Sequence, residues 1–354
     1  MSFCDGFGIA PFSTYEETVM LAEQAELLNI SSFWLGEGYY GRSAISLLSV
    51  VASRTRKIGL GTSVVGVYTR HPSILAMEAV TIDEISQGRF TLGIGINVSA
   101  LVKHGLVKDQ SSVAEAKPYS AIKDSIRIIR ILLGNGGTYS GKVYRLSIPS
   151  KIDFHGFKPI RSNVPIYVGS RSPRILELAG EEADGAILSR FLSSSERYVK
   201  DCVSYIMRGL ERAGKRWEDF TLAANLNFSV DTNRERAKRS VREAIALYIA
   251  DPTLAAVDTI DRYVDLSERE VSAIKDAMKL FGLAGAAKAV SDSLVDQLSV
   301  SGTPEDCVEK LRSLIKNGVK LPIAFDVIGP EPRTALKLIA DEIIPNIVKN
   351  GGKG

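Results

Sequence analysis

Eight short apolar segments punctuate the chain, and stretches with helical periodicity lie between them. They read FGIAPF (7–12), SFWLGE (32–37), KIGLGTSVV (57–65), FTLGIGIN (90–97), PIYVGS (165–170), DGAILS (184–189), LAANLNFSV (222–230) and LPIAFDVIG (321–329). Alternating strand and helix marks a parallel sheet, because parallel neighbours need a crossover and the crossover helix covers a face of the sheet. Eight such units in 354 residues favour an α/β fold of the closed (β/α)8 TIM barrel type over a doubly wound open sheet. No GxGxxG fingerprint occurs, and the near miss GLGTSV lacks its third glycine, which argues against a dinucleotide-binding half. The expectation is a single barrel domain over residues 1–354, with helical and loop insertions at about 98–163 and 250–300.

Helix signals support this reading. In STYEETVMLAEQAELLN, Ser13 is read as the cap, with Glu16 three residues on. Pro72 opens a helix to about Gln87, PYSAIKDSIRIIRILLG is another, Pro173 opens a third, and TPEDCVEKLRSLIKNG is capped. The charged run NRERAKRSVREA reads as a solvated helix face, and GGTYSGKV as a surface turn, since Val143 has no hydroxyl for a phosphate-bound magnesium.

Charge excludes some partners. The 44 basic and 41 acidic side chains leave +3, too weak a field for a nucleic-acid groove or a polybasic membrane patch. No export leader and no membrane-length apolar run is seen. Cys4, Cys202 and Cys307 are far apart and odd in number, which signals neither a disulfide framework nor a thiolate cluster and points to the cytoplasm. His71, His104 and His155 form no HxH or HExxH pattern, so no metal site is expected.

Reactive groups of such barrels sit at the C-terminal rim, where strands end. That rule selects Ala10, Glu37, Ser63, Val64, Asn97, Gly169 to Ser172, Ser189 and Arg190. In YVGSRSPRILELAG a strand ends at Gly169, Ser172 stands at the cap position and Pro173 at the first helical position. The free N–H groups of that helix start, with Arg171 beside them, suit a phosphate; the plainer alternative is a well-capped helix. Glu37, between two glycines, is either a rim carboxylate with an acid–base role or a loop acid paired with Arg42. Asn97 either orients a ring through its amide or caps the next segment.

Taken together, SFWLGEGYYGR, IGLGTSVVGVYTRHP, EAVTIDEISQGRFTLGIG, PIYVGSRSPRILELAGEEADGAILS and GTPEDCVEKL resemble the bacterial-luciferase-like superfamily. The likeness runs from about Phe7 to Gly329 and is strongest to the archaeal branch of methylenetetrahydromethanopterin reductases, which use the deazaflavin coenzyme F420. It implies a barrel with a non-prolyl cis peptide in a bulge after strand three, here Ser63–Val64, against the back of a flavin or deazaflavin ring. It also implies that Gly169, Ser170, Arg171 and Ser172 hold the coenzyme phosphate and that Asn97 and Ser189 lie along its length.

The implied activity is hydride transfer between deazaflavin C5 and a small organic substrate, with methylenetetrahydromethanopterin or a similar C1-pterin first in line and Glu37 as candidate acid or base. The alternatives are an FMN-dependent monooxygenase and a non-catalytic flavin or deazaflavin binder. Members are homodimers or larger homo-oligomers. Three positions, Ala10, Gly38 and Arg171, depart from the reductase pattern, which keeps the coenzyme expectation and weakens methylenetetrahydromethanopterin as the expected substrate.

Overall fold

The eight apolar segments form eight parallel strands that close on themselves: β1 (Gly8–Pro11), β2 (Ser32–Leu35), β3 (Gly59–Thr62), β4 (Phe90–Gly95), β5 (Ile166–Gly169), β6 (Gly185–Leu188), β7 (Thr221–Val230) and β8 (Leu321–Asp326). The computed structural model describes residues 4–38, 41–96, 101–102, 105, 107–108, 111–134, 136–148, 159–251, 260 and 262–348. Register runs round the ring from Gly8 opposite Ser32 to Asn225 opposite Ile323, and the seam closes with Gly8 opposite Ile323. The fold is a (β/α)8 barrel.

Strands buried on both faces explain why the segments read as continuous apolar runs rather than alternating ones. Inside the barrel, Ala10, Trp34, Ile187, Ala223, Leu321 and Ile323 pack together, and Tyr167 stacks on Trp34 at 6.0 Å. The larger core lies outside the barrel, where Phe33, Leu60 and Leu92 meet the helices.

Those helices are α1 (Tyr15–Leu27), α2 (Ala44–Arg54), α3 (Pro72–Ser86), α4 (Pro118–Leu133), α5 (Pro173–Glu182), α6 (Glu196–Ala213), α7 (Arg234–Ala250), α8 (Glu268–Ala289), α9 (Asp292–Leu298) and α10 (Pro304–Lys316), before a last segment from Pro332. The cap of α1 is Thr14, not Ser13: Thr14 Oγ1 accepts the Glu17 amide at 3.3 Å, while the Ser13 hydroxyl bonds the Glu17 carboxylate. Both residues satisfy the capping rule, and the helix starting at Tyr15 selects the nearer one.

Within the expected 98–163 insertion, α4 packs against α3 and α5 and so belongs to the helical ring. The glycine-rich turn after it is a hairpin, Thr138–Ser140 with Arg145–Ser147. Its partner is Asp124, which accepts from the Val143 and Tyr144 amides at 2.7 and 3.1 Å. Between β7 and β8, α8 packs on α7, and Val300–Gly302 extends the sheet beside the end of β7. The charged run lies on α7, where Arg234 pairs with Asp306 at 2.6 Å.

The N-terminal mouth is closed by a lysine. Lys320, 6% exposed, donates to the carbonyls of Trp217 (2.6 Å), Phe220 (2.8 Å) and Glu218 (3.2 Å), and its own carbonyl accepts the Asp5 amide at 2.7 Å.

Candidate active site

The C-terminal rim begins with an irregularity in β3. Gly61 stands opposite Thr91, and Val65, in the two-residue strand Val65–Gly66 that follows β3, stands opposite Ile94, so four steps along this edge match three along β4. The extra residue is a bulge, and within it the Ser63–Val64 peptide is cis. The bulge is tied down on several sides. Ser63 N donates to Leu35 O at 2.8 Å, and Val64 O accepts the Glu37 amide at 3.2 Å. The Ser63 hydroxyl exchanges hydrogen bonds of 2.8 and 3.0 Å with the Asn225 side chain on β7.

Val64 lies over two glycines. A Cβ on Gly95 would stand 2.6 Å from Val64 Cγ2, and one on Gly169 would stand 2.7 Å from Cγ1. Any other residue at either position drives Val64 into the space above it. That space is a cavity of about 730 Å³.

Among its walls are Glu37, Ser63, Val64, Gly169, Ser170, Arg171, Ser172 and Ser189, which the sequence had placed at separate strand ends. Gly38 also reaches it, whereas Ala10 lies in the packed barrel interior. Asn97 lies outside the described residues; its neighbour Ile96 lines the cavity.

Glu37 does not pair with Arg42, which donates instead to Ser13 O at 3.2 Å. Its partner is Arg70, from the segment YTRHP: Nη1 to Oε2 at 2.5 Å and Nη2 to Oε1 at 2.8 Å. The Ala44 amide, in the first turn of α2, adds a third bond to Oε1 at 3.1 Å. These bonds hold Arg70 above its already high range, against the opposing effect of burial. They make Glu37 an acceptor at a fixed place, with its side chain 6% exposed.

Arg70 Nε also meets Glu78 Oε1 at 3.2 Å, while Glu78 Oε2 is buried without a hydrogen-bond partner among the described residues. Burial raises the Glu78 carboxyl above its ordinary range, Arg70 pulls it back, and Glu37 pushes the same way as burial.

The loop after β5 is open at its helix start. Ser172 occupies the cap position of α5 and Pro173 the first turn, yet the Ser172 hydroxyl makes no capping bond. Its amide donates to Ser170 Oγ at 3.0 Å. The expected side-chain cap is thus absent. Arg171 lies beside Tyr248, near the end of α7; burial raises that phenol and Arg171 opposes the rise. Tyr248 in turn stacks on Phe191 at 4.0 Å. Among the described residues no cluster of His, Cys, Asp and Glu could hold a metal ion, and no helix is long and apolar enough to cross a membrane.

Four participants were not assigned roles from the sequence: Asn225, Tyr248, Arg70 and the Arg190–Asp326 pair. Asn225 carries a signal, a polar side chain within an otherwise apolar strand. The ion pair carries none, because its members are 136 residues apart.

The arrangement suits a flat, anionic cofactor. Val64 and its glycines shape an apolar wall, and the 169–172 loop supplies hydroxyls, a guanidinium and a helix start for a phosphate.

Comparison with known proteins agrees with this reading. The family model described as luciferase-like monooxygenase matches residues 5–321. A 5,10-methylenetetrahydromethanopterin reductase of Archaeoglobus fulgidus is 31% identical over 97% of this chain and 99% of its own. An F420-dependent glucose-6-phosphate dehydrogenase of Nakamurella multipartita is 26% identical over 91% and 87%. Among solved structures, the coenzyme F420 dependent tetrahydromethanopterin reductase of Methanopyrus kandleri superposes with a TM-score of 0.85, at 25% identity, covering 98% of this chain and 100% of that one.

Proposed function

From the premise that this chain belongs to the luciferase-like monooxygenase family, we propose that it is an F420-dependent oxidoreductase that moves hydride between the deazaflavin and a small organic substrate. The observation that carries this is the Val64 wall, backed by two glycines with no room for a Cβ, beside a loop suited to phosphate. Residues 63 and 64 support one face of the ring, Gly169 to Ser172 take the phosphate, and Ser189 and Asn97 lie along the coenzyme. When bound, F420 supplies the hydride at its C5. The protein supplies proximity: one face is blocked and the substrate is confined to the other.

The first substrate to test is methylenetetrahydromethanopterin, on which the named reductases act. Glu37 faces the cavity as an orienting or proton-handling group, fixed by Arg70 and the start of α2. The enzyme acts in the cytoplasm as a homodimer or larger assembly. Oxidation of reduced F420 by methylenetetrahydromethanopterin, followed by the rise in F420 absorbance, tests the reaction. Turnover with F420 supports it, and turnover only with reduced FMN and oxygen would favour the monooxygenase. Glu37→Gln lowers turnover by about 10² or more and leaves F420 affinity within about twofold; unchanged turnover removes Glu37 from the chemistry.

A further inference from the structure

In the closed strand order β3 lies diametrically across from β7, whose neighbours are β6 and β8. The rim facing Val64 is therefore built from β7, whose Asn225 lines the cavity, and the ends of its neighbours β6 and β8, which carry an ion pair, Arg190 with Asp326. The pair is only partly used. Arg190 Nη1 donates to Asp326 Oδ2, and among the described residues neither side chain makes another hydrogen bond. Nε, Nη2 and Oδ1 remain available at the cavity wall, where the two side chains are 20% and 30% exposed.

Their positions are held from outside. The guanidinium carbon lies 4.6 Å from the Phe191 ring centre and 5.6 Å from that of Phe325. Asp326 has φ 73°, in the left-handed region that residues other than glycine seldom occupy, and its carbonyl accepts the Phe12 amide at 3.3 Å. Backbone of this kind gathers at ligand sites. Phe12, half-exposed, meets Phe325 edge to face at 5.4 Å. The wall thus presents aromatic surface beside a charged donor and a charged acceptor.

We infer that the Arg190–Asp326 pair selects the substrate, and that it reads a flat heterocycle carrying a hydrogen-bond acceptor and donor side by side, as an aminopyrimidinone edge does. This rests on the pterin reading above. The ligand's acceptor takes a guanidinium N–H and its donor bonds Asp326 Oδ1, each a charge-assisted bond. The same pair opposes a sugar phosphate: the arginine charge is already offset, and the carboxylate beside it repels a dianion.

The test uses Asp326→Asn, which keeps the shape and tolerates a left-handed backbone, and Arg190→Gln. Each is titrated with tetrahydromethanopterin and with F420, and melted alongside the wild type, which is also titrated with glucose 6-phosphate. Expected is a loss of about tenfold or more in pterin affinity with F420 affinity within about twofold, and no saturable binding of glucose 6-phosphate. Unchanged pterin affinity overturns the inference. So does a parallel fall of both affinities and of Tm, which would make the pair structural, and so does saturable binding of the sugar phosphate. A wild type that binds F420 but no tetrahydropterin overturns the substrate reading and this inference together, while leaving the coenzyme assignment intact.

Discussion

The two mouths of the barrel are closed in contrasting ways. At the N-terminal mouth one buried lysine is shared among three carbonyls, and chain segments ahead of β1, β7 and β8 converge on it. Around the C-terminal rim, among the described residues, Glu78 Oε2 is buried without a hydrogen-bond partner and the Ser172 hydroxyl at the cavity wall makes no capping bond. A saturated end contributes stability and leaves no capacity for a ligand. An unsaturated end costs stability and gains it back when a ligand arrives. The contrast predicts that substitutions at the bottom act chiefly on melting, and that those lining the rim cavity act chiefly on binding.

The largest effect is expected at the bottom. Lys320→Met strips three carbonyls of their donor, which costs about 3 kcal/mol or more, and calorimetry or denaturant melts should show it while the folded fraction binds F420 as the wild type does. Weakened F420 binding by that folded fraction would break the division between the two ends.

Next comes Gly95→Val, whose Cβ collides with Val64 Cγ2. Fluorescence titration should show F420 affinity reduced about a hundredfold, or about 2.7 kcal/mol, with a smaller loss of Tm than Lys320→Met. A wild-type Kd would show that Val64 does not line the ring site.

Smaller, at about 1 kcal/mol, is the tie across the barrel. Asn225→Leu and Ser63→Ala should each weaken F420 binding, and the double variant should be no worse than the poorer single one, because both remove the same contact. Additive losses would mean that the two residues act separately.

The smallest expected effect sharpens the rim side. Because the folded-state pKa of Glu78 is raised, the folded chain binds a proton where the unfolded chain has released it. Its contribution to stability falls as pH rises from the ordinary glutamate value through the raised one. Glu78→Gln should flatten that part of a Tm-versus-pH curve, and an unaltered slope would assign it to another group.

The contrast also marks what one sequence reveals. All eight strands were legible, because burial on both faces leaves an apolar string that needs no partner to be recognised. The 169–172 loop was legible as a strand end followed by a helix start because Gly169, Ser172 and Pro173 are neighbours in the chain, although the expected Ser172 side-chain cap is absent. Ties between distant residues were not. Ser63 with Asn225 spans 162 residues and Glu37 with Arg70 spans 33, and nothing in one chain announces such pairs. Arg70 was visible only as a letter in YTRHP, and the nearer candidate Arg42 was turned towards Ser13. The cap of α1 moved by one residue because Ser13 and Thr14 are chemically equivalent until the first helical turn is fixed.

A crystal structure of the protein with F420 addresses the ring site most directly. The deazaflavin should lie with one face on Val64, its phosphate among Ser170, Arg171 and Ser172, and its other face towards Arg190 and Asp326. Density for the ring away from Val64, or for the phosphate away from the start of α5, would contradict the account.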